Sequence, residues 1–230
     1  MRELGGDYVH LLVDRAGGVH LTLLDVTGHG LAAALTVNRL SGEIERLRAE
    51  RPDIDPDALL VALNRYVHLT LRRRHVFATA FCASLDPSTG HLAWANAGHP
   101  PAFLRRADGR VEELAATGVL LGALEDDDFV PRTTTLDPGD VLVVYTDGVF
   151  EARNRRGQAL GLAALRELMQ RSPPPRDWTV HLDTIVRAHV AGQPDDDVLI
   201  ASLAFLKARP AIEADDHEAT MTTATTEAAS

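Results

Sequence analysis

Asp25-Val26-Thr27-Gly28-His29-Gly30 lies where the alternating run Val19 to Leu24 gives way to an alanine-rich helical pattern. A carboxylate leaves the end of a strand there, and two glycines bend the backbone before a helix begins. Glycine tolerates positive φ and lets a ligand approach the main chain closely. Three further acidic sites stand beside strand-like apolar runs: Gly5-Gly6-Asp7, Thr146-Asp147-Gly148 and Asp195-Asp196-Asp197. Four carboxylate sites gathered at strand ends would make a cage of hard oxygen ligands, suited to Mg2+ or Mn2+.

Outward from this stretch the chain reads as hairpin-linked strands with helices in pairs between them. Tyr8 to Val13 and Val19 to Leu24 form a hairpin about Ala16-Gly17-Gly18. Two helices follow, one with Val37, Leu40, Ile44 and Leu47 on a face and the next with Leu60, Leu63, Val67 and Leu71. Arg51-Pro52-Asp53-Ile54-Asp55-Pro56 separates them, because proline cannot continue a helix. Arg72-Arg73-Arg74 closes the second helix, where cations suit the negative end of the dipole. Strands are expected over Val76 to Leu85, His91 to Ala97, Ala102 to Arg106, Val111 to Leu114, Val141 to Tyr145 and Val198 to Phe205. Helices are expected at Gly161 to Gln170 and across Trp178, Leu182, Ile185 and His189. His68 and His189 read as partly buried or contact residues rather than ligands. The absence of regular βαβ alternation favours antiparallel sheet with helices packed outside, an α+β layered sandwich.

Composition narrows the function. The 230 residues suffice for one large domain, and 45% hydrophobic content supplies a core. A net charge of -10 argues against a nucleic-acid surface. Cys82, the single cysteine, lies in an apolar strand and reads as a small buried hydrophobe. No signal sequence opens the chain and no apolar run is long enough to span a membrane, so a cytoplasmic protein with no membrane partner is expected. Residues 1–206 are expected to form one domain. The tail from 207 to 230, rich in Ala, Thr, Asp and Glu, is expected to be disordered. Only four residues precede Gly5, so the first strand reads as truncated. Neither a phosphate-cradling glycine loop nor a serine elbow is present.

An ordered series of motifs runs through the chain. Gly5-Gly6-Asp7-Tyr8, Asp25 to Gly30, Phe77-Ala78-Thr79-Ala80-Phe81 and Asn96-Ala97-Gly98-His99-Pro100 come first. Pro138-Gly139-Asp140, Tyr145-Thr146-Asp147-Gly148, Glu151-Ala152 and Asp196-Asp197 complete it. The series resembles the SpoIIE-type branch of the PPM metal-dependent serine/threonine protein phosphatases, over roughly residues 4 to 205.

The resemblance implies a PPM-type sandwich of two antiparallel β-sheets flanked by α-helices, with two Mn2+ or Mg2+ ions at one edge. It implies that Asp25 bridges the metals and the Val26 carbonyl holds one of them. Asp147 and Asp196 would ligate the other, and Asp7 would bind directly or through water. Asp25 and Asp147 thereby become the catalytic candidates, and His29 is open between leaving-group acid and loop-stabilising residue. Two departures stand out: His10 replaces an acid common near the first triplet, and Leu199 replaces a threonine after the paired aspartates. The second leaves Asp196 against Asp197 undecided. The implied activity is hydrolysis of phosphoserine or phosphothreonine on a protein, with a phosphorylated anti-sigma-factor antagonist as partner in a bacterial partner-switching circuit. The alternative is a pseudo-phosphatase that binds the phosphoprotein without turnover. The helices of residues 31–74 would offer a surface for a homodimer or an upstream sensor.

Overall fold

Alternation along Val19–Val26, strand β2, explains the layering of the whole molecule. Val19, Leu21 and Leu23 point into one apolar layer, and Leu24 and Val26 into another. Successive side chains of a strand face opposite sides, so a strand apolar on both faces must be covered on both. The computed structural model describes residues 5–72, 75–171, 174–190 and 196–206, and the backbone of 222–226. In chain order the elements are β1 (Asp7–Val13), β2, α1 (Leu31–Glu50), α2 (Pro56–Thr70), β3 (Ala78–Asp86), β4 (His91–Ala97), β5 (Ala102–Arg105) and β6 (Val111–Leu114). Then come β7 (Arg132–Thr135), β8 (Val141–Tyr145), α3 (Asp147–Phe150), α4 (Leu162–Gln170), α5 (Trp178–His189), β9 (Val198–Ala204) and β10 (Thr222–Thr226).

Two five-stranded sheets, in the orders β1-β2-β3-β4-β7 and β10-β9-β8-β5-β6, are antiparallel throughout. Between them Leu21, Leu23, Phe81, Leu92, Leu104, Leu142, Val144 and Leu203 form the central layer. Leu40, Ile44, Leu60, Leu63 and Val67 pack α1 and α2 onto the outer face of the first sheet. Leu165, Met169, Trp178, Leu182 and Val186 pack α4 and α5 onto Phe103, Val143, Tyr145 and Ile200 of the second. A fully buried leucine contributes about 2 kcal/mol over an exposed one, so these three layers hold the sandwich together. The expected α+β sandwich of two antiparallel sheets is the one observed. Cys82 is fully buried and its thiol is pushed up to about 12 by desolvation, as suits an unreactive core residue.

Three elements escaped the sequence reading. Strand β7 is four polar residues, and it exists because Leu92 pairs with Thr134 on the sheet edge. Helix α3 is a single turn directly after a strand. The third is a correction: Thr222–Thr226, in the tail expected to be disordered, pairs antiparallel with Val198–Ser202 of β9. Threonine fits strands well, and an edge strand needs only backbone partners. The rest of that tail lies outside the described residues, as do Arg73, Arg74 and Asp195.

Pro138-Gly139-Asp140 is a staple rather than part of a site. Asp140 is 1% exposed and accepts hydrogen bonds from the Asp137 and Ala107 amides at 3.0 and 2.8 Å. It also takes the Arg106 guanidinium at 2.8 Å. Arg106 reaches onward to the Thr135 carbonyl at 2.8 Å and to Thr134 Oγ1 at 2.9 Å, tying β7 of one sheet to the β5–β6 turn of the other. Removing one partner of a buried ion pair leaves the other charge uncompensated. Asp140→Ala is therefore expected to cost about 3–5 kcal/mol in urea unfolding. A variant with an unchanged unfolding midpoint would show that the staple carries no load.

Candidate active site at the acidic edge

The register of the first hairpin puts two carboxylates face to face. Asp7 opens β1 and stands directly opposite Asp25 near the end of β2, and Asp25 in turn stands opposite Thr79 on β3. Asp147 follows β8 and begins α3, while Asp196 and Asp197 lead into β9. Strand ends from both sheets thus converge on one edge of the sandwich.

Glycines make the convergence possible at two positions. A Cβ on Gly6 would come within 2.6 Å of the Val26 carbonyl oxygen, and the Val26 amide donates to the Gly6 carbonyl at 3.1 Å. A Cβ on Gly148 would collide with the Asp197 carbonyl. Only glycine lets backbones approach so closely. The Asp25 loop is fastened at its far side, where the Thr27 amide donates to the Phe77 carbonyl at 3.0 Å and the Phe77 amide donates to Thr27 Oγ1 at 3.1 Å. Gly28 and Gly30 take φ of 98° and 75° before α1 starts. His29 is exposed on this loop.

The electrostatics are those of a site lacking a counter-charge. Burial, then the neighbouring Asp25, Asp197 and Asp147 charges, push the Asp7 carboxyl up to about 8 against a partial offset from the Thr146 hydroxyl. Burial and the charges of Asp147, Asp196 and Asp197 push Asp25 up to about 7. Asp147 is raised by burial, by Asp196 and by Glu151. None of the groups that shift these three is a cation. Asp7 Oδ2 is buried and has no hydrogen-bond partner, which is costly unless something binds it. A hard divalent cation fits this donor set, all oxygen and all acidic. Among the described residues no three His, Cys, Asp or Glu side chains are gathered tightly enough to form a finished ligand set.

Asp7, Asp25, Asp147, Asp196 and Asp197 are thus brought to this edge. Asp197 lies against Gly5 and its charge reaches Asp7 and Asp25, whereas Asp196 is exposed and its charge reaches Asp25 and Asp147. His10 lies elsewhere, among Arg48, Glu45 and His20, so the departure at that position leaves the edge intact. Arg72 hydrogen-bonds His68 Nε2 at 3.0 Å, and His189 donates to the Gln158 carbonyl at 3.1 Å. Sequence reasoning passed over Thr146 as a side chain. It is fully buried, accepts the Leu199 amide at 3.1 Å and supports Asp7. Its position directly before Asp147 was the available signal.

Comparisons with known proteins identify the family. A family profile described as stage II sporulation protein E (SpoIIE) matches residues 15–205. The chain belongs to the SpoIIE family. It is 31% identical over 157 residues to the phosphoserine phosphatase RsbU of Bacillus subtilis (strain 168), an alignment that covers 68% of this chain and 46% of that protein. The SpoIIE-family chain therefore spans less than half the length of that relative. Among solved structures, the RsbU and RsbW domains of a Mycobacterium tuberculosis protein align with a TM-score of 0.70 at 26% identity, over 86% of this chain and 55% of that one. The SiaA-PP2C domain of Pseudomonas aeruginosa aligns with a TM-score of 0.76 at 21% identity, over 87% and 80%, and shows the shared fold. Among the described residues no helix is long and apolar enough to cross a membrane.

The raised carboxyls make stability depend on pH. A carboxyl raised in the folded state favours folding while it stays protonated, and that contribution is lost as pH climbs from the unfolded value near 4 through the folded value. In chelator, wild type is expected to lose a few kcal/mol through Asp7 between pH 4 and pH 8. Asp7→Asn, uncharged throughout, should lose less, so that the variant is the more stable of the two at pH 8. Parallel stability curves across this range would contradict the shift.

Proposed function

We propose that the chain hydrolyses phosphoserine or phosphothreonine on a protein, using two Mn2+ or Mg2+ ions held at the acidic edge. The observation that carries this reading is the set of raised carboxyls Asp7, Asp25 and Asp147, each pushed up by burial and by neighbouring acidic charges, in a chain of the SpoIIE family. Asp25, which faces Asp7 across the first hairpin and feels the Asp147 charge, would hold the cations together with the backbone carbonyl of Val26. Asp147 and Asp196 would serve together, since the Asp196 charge reaches Asp147 and raises its carboxyl. Asp7 supplies the buried oxygen that lacks a partner.

Bound divalent cations supply a lowered water pKa and neutralise phosphoryl charge during in-line displacement. The protein's own part is to fix the carboxylate oxygens and to exclude competing partners from Asp7. Thr146 holds Asp7 from behind, and the glycine contacts keep the three backbones in register. Exposed His29 stands on the loop that carries Asp25 and is available as a leaving-group acid. A phosphorylated anti-sigma-factor antagonist suits the reading as substrate, given that the similar Bacillus protein is named a phosphoserine phosphatase. Leu31 and Leu35 on α1 and Val61 and Leu69 on α2 are exposed, which supports that face as a contact for a second copy or a sensor.

Phosphate release from a phosphoserine protein of that class is the test. Activity should require Mn2+ or Mg2+ and vanish with chelator. Asp147→Asn should lower kcat by about 100-fold or more while leaving circular dichroism unchanged. Turnover that survives chelation would sink the proposal, and phosphoprotein binding without any turnover would establish the pseudo-phosphatase in its place.

A further inference from the structure

His99 is 3% exposed, and its ring bonds to Thr79 of one sheet and to the Tyr145 carbonyl of the other, just behind the acidic edge. Its Nε2 lies 3.0 Å from the Tyr145 carbonyl oxygen. A carbonyl only accepts, so Nε2 carries the proton and donates. Nδ1 is then an acceptor and takes the hydroxyl hydrogen of Thr79, 2.8 Å away. Burial holds the imidazole down to about 4, so this neutral form persists across the physiological range.

The ring is itself fixed. The His99 amide donates to Asn96 Oδ1 at 2.8 Å, and Asn96 Nδ2 returns a bond to the His99 carbonyl at 3.1 Å. Between them Gly98 adopts φ of 62°, and a Cβ there would come within 2.9 Å of the Leu120 amide nitrogen. The motif Asn96-Ala97-Gly98-His99 thus builds a rigid bracket for one imidazole.

Both ends of the bracket abut the site. Thr79 stands opposite Asp25 across β2 and β3. Tyr145 precedes Thr146 and Asp147, and Thr146 supports Asp7. The route from Asp25 to Asp147 therefore runs through two side-chain hydrogen bonds of a single histidine.

We propose that His99 is a positioning residue for the acidic edge: it holds the Asp25 end of one sheet at a fixed spacing from the Asp147 end of the other. The proposal rests on the reading of that edge as a cation site. Like-charged carboxylates push these ends apart, and the histidine opposes the opening with one donor and one acceptor that need no charge.

The experiment compares His99→Leu, His99→Gln and Thr79→Val with wild type at a temperature where all are folded, checked by circular dichroism. Mn2+ affinity is measured by calorimetry, and kcat and KM are measured on a phosphoserine protein. His99→Leu removes both bonds and should weaken Mn2+ binding by about 10-fold or more, with kcat falling and KM little changed. Glutamine offers an amide donor and acceptor at similar reach, so His99→Gln should recover most of the affinity. Thr79→Val keeps the His99 to Tyr145 bond and side-chain shape. It should lose affinity in the same direction and add little on top of His99→Leu. Should His99→Leu not fold, Thr79→Val and His99→Gln still decide the matter. Unchanged Mn2+ affinity in the variants, with only thermal stability reduced, would overturn the proposal while leaving the metal reading in place. Wild-type protein that binds no Mn2+ would overturn both.

Discussion

Four acidic positions share one edge of a dry sandwich, and their repulsion is the constraint around which the chain is built. Asp7 and Asp25 oppose each other across a strand pair, an arrangement of like charges that normally destabilises a sheet. The fold tolerates it by holding Asp7 and Asp25 partly protonated near neutral pH and by anchoring strand ends from behind. Thr146, Thr27 and His99 are the anchors, and each bonds to backbone or to a neutral hydroxyl rather than to a counter-ion.

The layered core explains how chain segments far apart in sequence meet at that edge. Antiparallel pairing throughout both sheets lets strand ends from each lie side by side, and the apolar layer between the sheets fixes their separation. Arg106 and Asp140 lock the sandwich where β7 meets the β5–β6 turn, and the His99 bracket ties it behind the site. The side chains of Asp140, Asn96 and His99 are engaged in hydrogen bonds that tie the fold together. That separates positions where charge matters from positions where shape and hydrogen bonding matter.

Much of this was legible in the sequence because the physical signals are local. Alternation marked β2, glycine pairs marked the loops that carry Asp7 and Asp25, and proline breaks separated α1 from α2. The acidic edge followed from four carboxylates at strand ends. What could not be read was non-local. Strand β7 has four polar residues and owes its existence to pairing with β4 and to Arg106, and β10 likewise depends on β9. Thr146 and His99 act through partners 53 and 46 residues away, a distance that no periodicity encodes.

Calorimetric titration of Mn2+ into chelator-stripped protein at pH 7, repeated in buffers of different ionisation enthalpy, addresses the central claim directly. If the edge is a cation site held partly protonated by its own repulsion, metal must displace protons from Asp7 and Asp25. The account predicts binding whose apparent enthalpy varies with the buffer, reporting proton release, and less release in Asp7→Asn. Absence of binding, or binding with the same enthalpy in every buffer, would contradict it.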